Sequence, residues 1–353
     1  MKIVHVTTGA GYGGTWAQFE RLALALHASG IGQRVLGSMQ SPHVTRVQTA
    51  GVETIAMELP GSFAFMDRRK INAELKRYTP DIVMSWSPLA SALIEPGGYV
   101  HVGLAPLAFD AQRLATCGKL IAPSQSRSDT AVAAGRLESD IHVLPHLPVA
   151  TIGIDVAKPF DRKKIFTPAT ARLVFTAARL EESKGIADLF AAVANVSGIY
   201  LWVAGDGADR AALEERAYTL GIKPRVRFLG WQDDLRPYFA AADVFVYPAR
   251  QEDLGDIIVE AWAAGTPVVA ADSLGPGLLI RHQENGLLVP VGDARSMADA
   301  VKFMLVEKEL ARNMAAAGRA AFDATFNPDN LIKSYIGLFE SFAARTPMAA
   351  PQV

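Results

Sequence analysis

The sequence predicts an α/β protein with two doubly wound domains, each built on a parallel β-sheet. Apolar runs alternate with amphipathic helical patterns along most of the 353 residues, as expected for successive strand–helix–strand units. A Pro-rich segment between Pro145 and Pro168 has no hydrophobic period and interrupts this alternation. We therefore predict a first domain over residues 1–148, a linker over 149–170 and a second domain over 171–326.

The first domain begins with a strand, a glycine-rich turn and an amphipathic helix. The turn covers residues 9–14, and the helix covers 17–29 with Phe19, Leu22 and Leu26 on or near one face. The strands predicted in this domain are 2–7, 34–37, 51–59, 81–86 and 119–123.

The second domain repeats the alternation. Its predicted strands are 171–176, 199–204, 226–229, 243–247, 268–271 and 286–289, and its predicted helices include 186–196, 207–220, 257–264 and 296–305. A last helical pattern at 330–344 follows the completed second sheet, so we expect the segment 327–345 to return to the first domain. Residues 346–353 have the composition of a disordered tail.

The composition is that of a globular protein, with half of the residues hydrophobic and a fifth charged. The 35 basic and 36 acidic side chains nearly cancel, so no overall field favours nucleic acid as a partner. Cys117 is the single cysteine, which excludes an intramolecular disulfide and a cysteine-based metal site. We expect a cytoplasmic protein, because a chain with one cysteine fits a reducing compartment best. No apolar run approaches the length of a membrane span.

Two carboxylates lie at a predicted strand-to-helix junction of the second domain. Glu252 follows the strand 243–247, and Glu260 lies in the helix that begins near Ile257. Open α/β sheets bind ligands beyond the carboxyl ends of their strands, and carboxylates accept hydrogen bonds from hydroxyl groups. The loop containing Leu254 and Gly255 is placed to aim backbone N–H groups at an anion. The alternative is a helix-capping acid and a solvated acid without a ligand.

A second loop of the same domain carries cations. Arg179 and Lys184 follow the strand 171–176, and a guanidinium with an ammonium suits a diphosphate. The turn at 9–14 also matches a dinucleotide-binding glycine pattern. However, the strand at 34–37 has no carboxylate at its end, so an NAD site of the usual kind is not expected. A charged loop and a tight turn without ligands are the alternatives.

Several motifs together resemble the retaining GT-B glycosyltransferases of family 4. Glu252 and Glu260 are separated by seven residues, and Arg179 precedes the pair Lys184-Gly185, as in the donor domain of that family. The other motifs that agree in order are Gly205-Asp-Gly207, Phe228-Leu-Gly230, Ser273-Leu-Gly-Pro276 and Glu284-Asn-Gly-Leu-Leu-Val-Pro290. The resemblance extends from about residue 172 to about residue 301. It implies two Rossmann-like domains facing a central cleft, the first for an acceptor and the second for a nucleotide sugar.

The same resemblance implies a role for each motif residue. Arg179 and Lys184 would hold the donor diphosphate, Glu252 would bind hydroxyls of the transferred sugar, and these three would be the catalytic residues. The other implied donor-binding positions are Gly13 and Gly14 in the first-domain turn, Leu229 and Gly230 for the base, the backbone of Leu254, Gly255, Asp256 and Ile257 beside the sugar, and Glu260 for the ribose.

The first domain resembles the family less closely. Residues 81–90 and 117–121 are similar to bacterial enzymes that build lipopolysaccharide core or related cell-surface glycans. The His-Asp or His-Gly pair that many members carry beside the sugar is missing. His101 and Asp110 are the acceptor-side candidates, although a core or cleft-edge role is favoured for His101. His146 is interpreted as part of the hinge structure.

The expected reaction is transfer of a hexosyl group from a nucleotide sugar to a glycan or glycolipid acceptor such as lipopolysaccharide core. A UDP-sugar is the expected donor. The front-face mechanism attributed to the family needs neither a metal nor a cofactor, and the sequence has no metal-ligand cluster. Basic residues of 67–77 suggest peripheral contact with the inner face of the membrane, with a solvated helix face as the favoured alternative. A nucleotide-sugar epimerase or phosphorylase and an inactive sugar-nucleotide-binding subunit are the competing functions.

Overall fold

The computed structural model describes residues 1–9, 14–57, 64–149 and 157–344. The chain forms two compact units, one from Met1 to Leu147 together with the C-terminal segment from Pro328, and the other from Pro148 to Asn327. The predicted division at residue 148 lies beside this boundary. Gly13, part of the predicted linker (150–156) and the predicted tail (346–353) lie outside the described residues.

Unit 1 contains a seven-stranded parallel sheet in the order β3-β2-β1-β4-β5-β6-β7. Its strands are β1 (Lys2–Val6), β2 (Gly32–Gly37), β3 (Glu53–Ala56), β4 (Ile82–Ser85), β5 (Val100–Leu104), β6 (Lys119–Ala122) and β7 (Ile141–Val143). Its helices before the crossing into unit 2 are α1 (Gly14–Ala28), α2 (Pro42–Thr49), α3 (Ala64–Tyr78), α4 (Pro88–Leu93) and α5 (Gln125–Ala133). Strands β5 and β7 were not predicted, because β5 is interrupted by His101 and Gly103 and β7 has three residues.

Unit 2 contains a six-stranded parallel sheet in the order β10-β9-β8-β11-β12-β13. Its strands are β8 (Arg172–Ala177), β9 (Ile199–Ala204), β10 (Val226–Gly230), β11 (Val244–Tyr247), β12 (Val268–Ala271) and β13 (Leu287–Val289). Its helices are α6 (Ile186–Ala194), α7 (Arg210–Thr219), α8 (Arg236–Ala241), α9 (Asp256–Ala263), α10 (Leu274–Leu279), α11 (Ala294–Val306) and α12 (Lys308–Ala321). All six predicted strands of this domain are present.

The sheet of unit 2 is buried on both faces. Successive side chains of a strand point to opposite faces, so Val174 joins one apolar core while Leu173 and Phe175 join the other. Buried parallel strands therefore appear in the sequence as continuous apolar runs, which is why the strands of unit 2 were predictable. Within the predicted linker, Phe160 stacks on Tyr238 at a ring-centroid distance of 4.8 Å and so belongs to the packing of unit 2.

The last helix, α13 (Pro328–Ala343), packs in unit 1. Leu331, Tyr335, Phe339 and Phe342 join the same core cluster as residues of β1 and α1. The Tyr335 hydroxyl donates to the carbonyl of Pro145 at 3.0 Å, which ties the helix to the end of the first sheet. Among the described residues, no helix is long and apolar enough to cross a membrane.

We expect Phe339→Ala to lower the stability of unit 1 by about 3 to 5 kcal/mol, because the side chain is fully buried and leaves a cavity. The measurement is denaturant unfolding followed by a probe in each unit. The control is Glu340→Ala at the neighbouring exposed position, which should leave the transition within about 0.5 kcal/mol of wild type. Equal stability of the two variants would show that α13 does not contribute to the core.

Candidate active site

The predicted cationic and carboxylate loops lie side by side in unit 2. Strands β8 and β11 are parallel neighbours, with Val244 paired to Val174 and Phe245 to Phe175. The strand order reverses between them, since β9 and β10 lie on one side of β8 whereas β12 and β13 lie beyond β11. The loops that leave their carboxyl ends therefore meet at the topological switch point, where open α/β sheets bind ligands.

Backbone contacts join the two loops directly. The N–H groups of Arg250 and Gln251 both donate to the carbonyl of Ser183, at 2.9 and 3.1 Å. The Arg250 guanidinium binds the Asp188 carboxylate of α6 through two bonds of 2.7 and 2.8 Å. Gly185 allows this approach, because a Cβ there would lie 2.1 Å from the carbonyl oxygen of Pro248. The loop spacing is thus set by a glycine, two backbone bonds and a forked ion pair.

Lys184 and Glu252 form an ion pair where the loops meet. The Lys184 Nζ lies 3.0 Å from Glu252 Oε2, and the two side chains are only 14% and 16% exposed. The same ammonium also donates to the carbonyl of Gln251 at 3.3 Å. Partial burial makes this contact stronger than a surface ion pair, provided that the desolvated groups keep their hydrogen bonds.

Glu252 accepts further hydrogen bonds from its own loop and strand. The Tyr247 hydroxyl donates to Oε2 at 2.6 Å, while the N–H groups of Leu254 and Gly255 donate to Oε1 at 3.2 and 3.4 Å. Two of the backbone donors that the sequence analysis directed at an external anion or sugar are thus bonded to a carboxylate of the chain. A substrate hydroxyl that binds Oε2 has to share that oxygen with Lys184 or Tyr247, or replace one of them.

The electrostatics of this cluster keep the carboxylate ionised. Burial alone would raise the pKa of Glu252, but the Lys184 charge and the bonds from Tyr247, Lys184 and Leu254 outweigh burial and hold that pKa below its ordinary value. Burial, reinforced by the Glu252 charge, raises the pKa of Tyr247 well above its ordinary value. The Tyr247 hydroxyl therefore keeps its proton and remains a donor at neutral pH.

The two predicted cations differ in exposure and in their partners. Arg179 is 60% exposed and pairs with Glu181 at 3.0 Å, whereas Lys184 is largely buried against Glu252. Arg179 still lies near the cluster, since its charge acts to lower the pKa of Tyr247 against the larger effect of burial. Arg179 is therefore accessible from solvent beside a buried Lys184–Glu252 pair.

Helix α9 carries the second carboxylate. Gly255 lies before the helix with φ of +75°, and a Cβ there would come within 2.8 Å of Leu279. Glu260 lies one turn into α9, and its charge adds to a rise in the pKa of Arg236 that comes first from the Asp234 carboxylate. Glu260 therefore acts on Arg236 at the start of α8, whereas Glu252 contacts Lys184 in the loop after β8 and Tyr247 at the end of β11. The two predicted carboxylates thus have different neighbours.

Of the other predicted positions of unit 2, Asp256 and Ile257 are the first two residues of α9, and Leu229 and Gly230 lie at the end of β10. The carbonyl of Leu229 accepts a bond from the Gln232 side chain at 2.8 Å, and the carbonyl of Gly230 accepts one from the Gly205 N–H at 2.7 Å. Gly205 itself is closely packed, because a Cβ there would lie 1.8 Å from the carbonyl oxygen of Ala178. These contacts hold the end of β10 next to the loop that follows β8.

The first-domain candidates lie in unit 1. His101 is 5% exposed, and its Nε2 lies 2.9 Å from Ser85 Oγ and 3.6 Å from the sulfur of Cys117. Burial lowers the pKa of His101 to about 4, so the ring is neutral at physiological pH. Asp110 lies in the loop after β5, where its carboxylate accepts from the Arg113 N–H at 3.0 Å. Gly14 is exposed as the first residue of α1.

Among the described residues, no group of three or more His, Cys, Asp or Glu side chains is arranged to hold a metal ion. The acids Asp233 and Asp234 bond to nearby groups of their own segment. Asp233 accepts from the indole N–H of Trp231 at 3.1 Å, and Asp234 accepts from the Arg236 N–H at 3.0 Å beside the start of α8.

The chain is similar to proteins of known class. Residues 157–321 match the family described as Glycosyl transferases group 1. A lipopolysaccharide core biosynthesis glycosyltransferase of Rhizobium meliloti, LpsE, is 36% identical over 276 residues, which cover 77% of this chain and 79% of the relative. The chain belongs to the group 1 glycosyltransferases. A second glycosyltransferase of that organism, LpsD, is 29% identical over 353 residues, covering 98% of this chain and all of the relative.

The comparison of folds agrees with this assignment. The crystal structure of Anabaena Alr3699/HepE in complex with UDP superposes with a TM-score of 0.82 at 19% identity, covering 97% of this chain and all of that one. At this identity the likeness establishes the fold alone. The two Rossmann-like parallel sheets and this match confirm the predicted GT-B fold class, and the family match confirms that this protein is a glycosyltransferase.

Three residues of this candidate site were not predicted from the sequence. Tyr247 was counted as the last apolar residue of a buried strand, although a tyrosine at the carboxyl end of β11 could have been recognised as a polar group facing the loop. Arg250 and Asp188 were not singled out, because their pairing joins segments 62 residues apart and has no local pattern.

We expect Gly185→Ala to separate the two loops, because the added methyl group meets the backbone of Pro248 and the residue has φ of +64°. Transfer activity should fall at least tenfold, and stability should fall by more than the roughly 1 kcal/mol that a left-handed non-glycine residue costs by itself. Gly198→Ala is the matched control, since Gly198 has φ of +70° with open space around its Cβ position. Equal losses in both variants would show that the close approach at Gly185 has no effect on activity.

Proposed function

We propose that this glycosyltransferase moves a hexosyl group from a UDP-sugar to a lipopolysaccharide core or related cell-surface glycan, with retention of anomeric configuration. The observation that carries the proposal is the Lys184–Glu252 pair at the switch point of unit 2. The acceptor class is supported by the two relatives named for lipopolysaccharide core biosynthesis, and the donor class by the UDP complex of the structural neighbour.

In this proposal the exposed Arg179 and the ammonium of Lys184 neutralise the diphosphate of the donor. The Lys184 ammonium is carried on a flexible side chain, so it can turn from Glu252 Oε2 toward a phosphate oxygen while the backbone of Lys184 stays in place. The lone pair released on Oε2 can then accept a hydroxyl of the transferred sugar. Glu260, in α9, binds the ribose, and the backbone at Leu229 and Gly230 lies beside the base.

The chemical step needs stabilisation of the leaving diphosphate more than it needs a protein base. As the bond from the anomeric carbon to the phosphate oxygen breaks, negative charge grows on the diphosphate beside Arg179 and Lys184. The departing phosphate oxygen takes the proton of the acceptor hydroxyl, and the acceptor oxygen bonds to the anomeric carbon from the same face. We propose no role for a metal or cofactor in this step.

We expect Lys184→Ala and Glu252→Ala each to lower the rate of transfer by about 100-fold or more, which corresponds to losing interactions with charged groups at the reacting centre. Rates are measured with a nucleotide sugar and a core oligosaccharide acceptor, with circular dichroism to verify folding. Lys223→Ala, an exposed lysine beyond α7, is the matched control and should retain the wild-type rate. Near-normal transfer by either site variant would contradict the site assignment.

His101→Ala should have a milder effect on transfer than either site variant, because the ring is buried among Ser85 and Cys117. We expect less than a tenfold fall in rate, accompanied by lower thermal stability from the hydrogen bond that Ser85 loses. Complete loss of transfer in a folded His101→Ala protein would mean that the first unit contributes a reacting group at this position.

The donor is identified by a thermal-shift panel of UDP-, GDP- and ADP-sugars, because a ligand that binds the folded state raises the unfolding temperature. UDP-sugars should give the largest shift. Assays without acceptor test the competing functions, since an epimerase or phosphorylase converts the nucleotide sugar alone, while a binding subunit gives a shift without turnover. The anomeric configuration of the product, read by NMR, tests retention.

We also propose that helix α3 rests on the anionic inner face of the membrane that carries the acceptor. Arg69, Lys70, Lys76 and Arg77 are exposed at helical spacing on one face, together with Met66. Part of the basic charge of this helix is neutralised, since Arg77 pairs with Glu74 at 2.7 Å. Each basic residue that approaches an anionic surface contributes on the order of 1 kcal/mol.

Replacing Arg69, Lys70 and Lys76 together by glutamate should reduce binding to vesicles containing phosphatidylglycerol by at least tenfold, because the charge of the face is reversed. Sedimentation with vesicles at low and physiological salt measures this binding. A double charge reversal at the exposed Lys308 and Arg312 of α12 is the control and should leave binding unchanged. Equal binding by the triple variant and the wild type would contradict the membrane contact.

A further inference from the structure

Tyr247 is a buried polar residue that has no role in the proposed transfer step. It is the last residue of β11, is 4% exposed, and stacks its ring on Phe245 at a centroid distance of 6.2 Å. Its hydroxyl donates to Glu252 Oε2 at 2.6 Å, one of the short side-chain bonds of the cluster. A core tyrosine with a phenylalanine neighbour needs no hydroxyl for packing, so the polar group calls for another explanation.

The donors around Glu252 differ in their freedom to move. On Oε1 the donors are the backbone N–H groups of Leu254 and Gly255, which belong to a loop packed against Gly275. On Oε2 the donors are Tyr247, on a strand with its ring buried, and Lys184, on a flexible side chain. If Lys184 turns to the diphosphate, the Tyr247 hydroxyl is the donor that still fixes the position of Oε2.

We propose that Tyr247 is a positioning residue for sugar transfer, whose hydroxyl orients the Glu252 carboxylate while the Lys184 ammonium binds the diphosphate. This inference rests on the proposed function of the site. Tyr247 itself touches neither sugar nor phosphate in this arrangement. It acts through Glu252, on the oxygen that accepts the sugar hydroxyl.

The charged and titratable groups around this bond define its pH dependence. Lys184 and Tyr247 face Glu252 directly, and Arg179 and Asp256 act on Tyr247 from the loop after β8 and from α9. The bond from Tyr247 is one of the contacts that lower the pKa of Glu252, so removing it raises that pKa. The ionised carboxylate is the form that accepts the sugar hydroxyl together with its fixed donors. In a variant without the Tyr247 hydroxyl, Glu252 should therefore become protonated, and activity should be lost, at a higher pH than in the wild type.

Tyr247→Phe is the decisive variant, since it removes one oxygen and keeps the buried ring. We expect kcat for transfer to fall about tenfold to 100-fold, the loss typical of a hydrogen bond to a charged group. The acid limb of the kcat/KM profile should move to higher pH. The affinity for UDP, measured by calorimetry, should stay within about twofold of wild type, because the diphosphate does not contact this hydroxyl.

Two further variants distinguish positioning from a general loss of stability. Tyr335→Phe removes a buried tyrosine hydroxyl that donates to Pro145 in unit 1, and it should leave kcat and the acid limb unchanged. The double variant Tyr247→Phe with Glu252→Gln should be no slower than Glu252→Gln alone, since Tyr247 acts through the carboxylate.

The outcomes distinguish failure of the positioning role from failure of the proposed function. If the wild-type protein transfers sugar and Tyr247→Phe has the same kcat and the same acid limb, the positioning role is overturned and the proposed function is left intact. Additive losses in the double variant, or loss of UDP binding in Tyr247→Phe, would also overturn that role. Failure of the wild-type chain to transfer from any nucleotide sugar would overturn the proposed function together with this inference.

Discussion

The Lys184–Glu252 ion pair is the interaction on which the candidate site of unit 2 depends. Two charges held at low exposure are stable only when each keeps enough hydrogen bonds to offset the loss of water. Glu252 meets this requirement with donors from Lys184, Tyr247 and the backbone of its own loop. The lowered pKa of Glu252 shows that these donors outweigh the effect of burial. The carboxylate is consequently a charged, oriented acceptor.

The rest of unit 2 brings the two halves of this pair together. Parallel pairing of β8 and β11 places both loops at the same edge of the sheet, and the reversal of strand order opens that edge to a ligand. The absence of a side chain at Gly185 lets one loop touch the other, and the Arg250–Asp188 pair locks the approach from α6. The two loops are therefore held together by a strand pairing, one close backbone approach and a forked ion pair.

The arrangement of the candidate site could be predicted in outline but not in detail. Each loop was predicted to carry charge because cations and carboxylates follow strands whose apolar runs are easy to recognise. The different roles of the residues within each loop could not be predicted. Arg179 and Lys184 look equivalent in the sequence, whereas the structure leaves Arg179 exposed and buries Lys184 against a carboxylate. The bond from Tyr247 was missed because a tyrosine at the end of an apolar strand has the pattern of a core residue. In unit 1, β5 was missed because a histidine and a glycine interrupt its apolar run.

The sequence by itself determined the two parallel sheets, since buried strands and amphipathic helices have local patterns of apolar residues that can be recognised without the structure. It also determined that Glu252 and Glu260 lie at the two ends of a loop-to-helix junction, because their spacing is local. Only the tertiary structure decided which groups meet across long separations. Lys184 and Glu252 are 68 residues apart, and Tyr335 is 190 residues from the carbonyl of Pro145 that it binds. Contacts of this kind follow from strand order and loop packing, and no local pattern of residues encodes them.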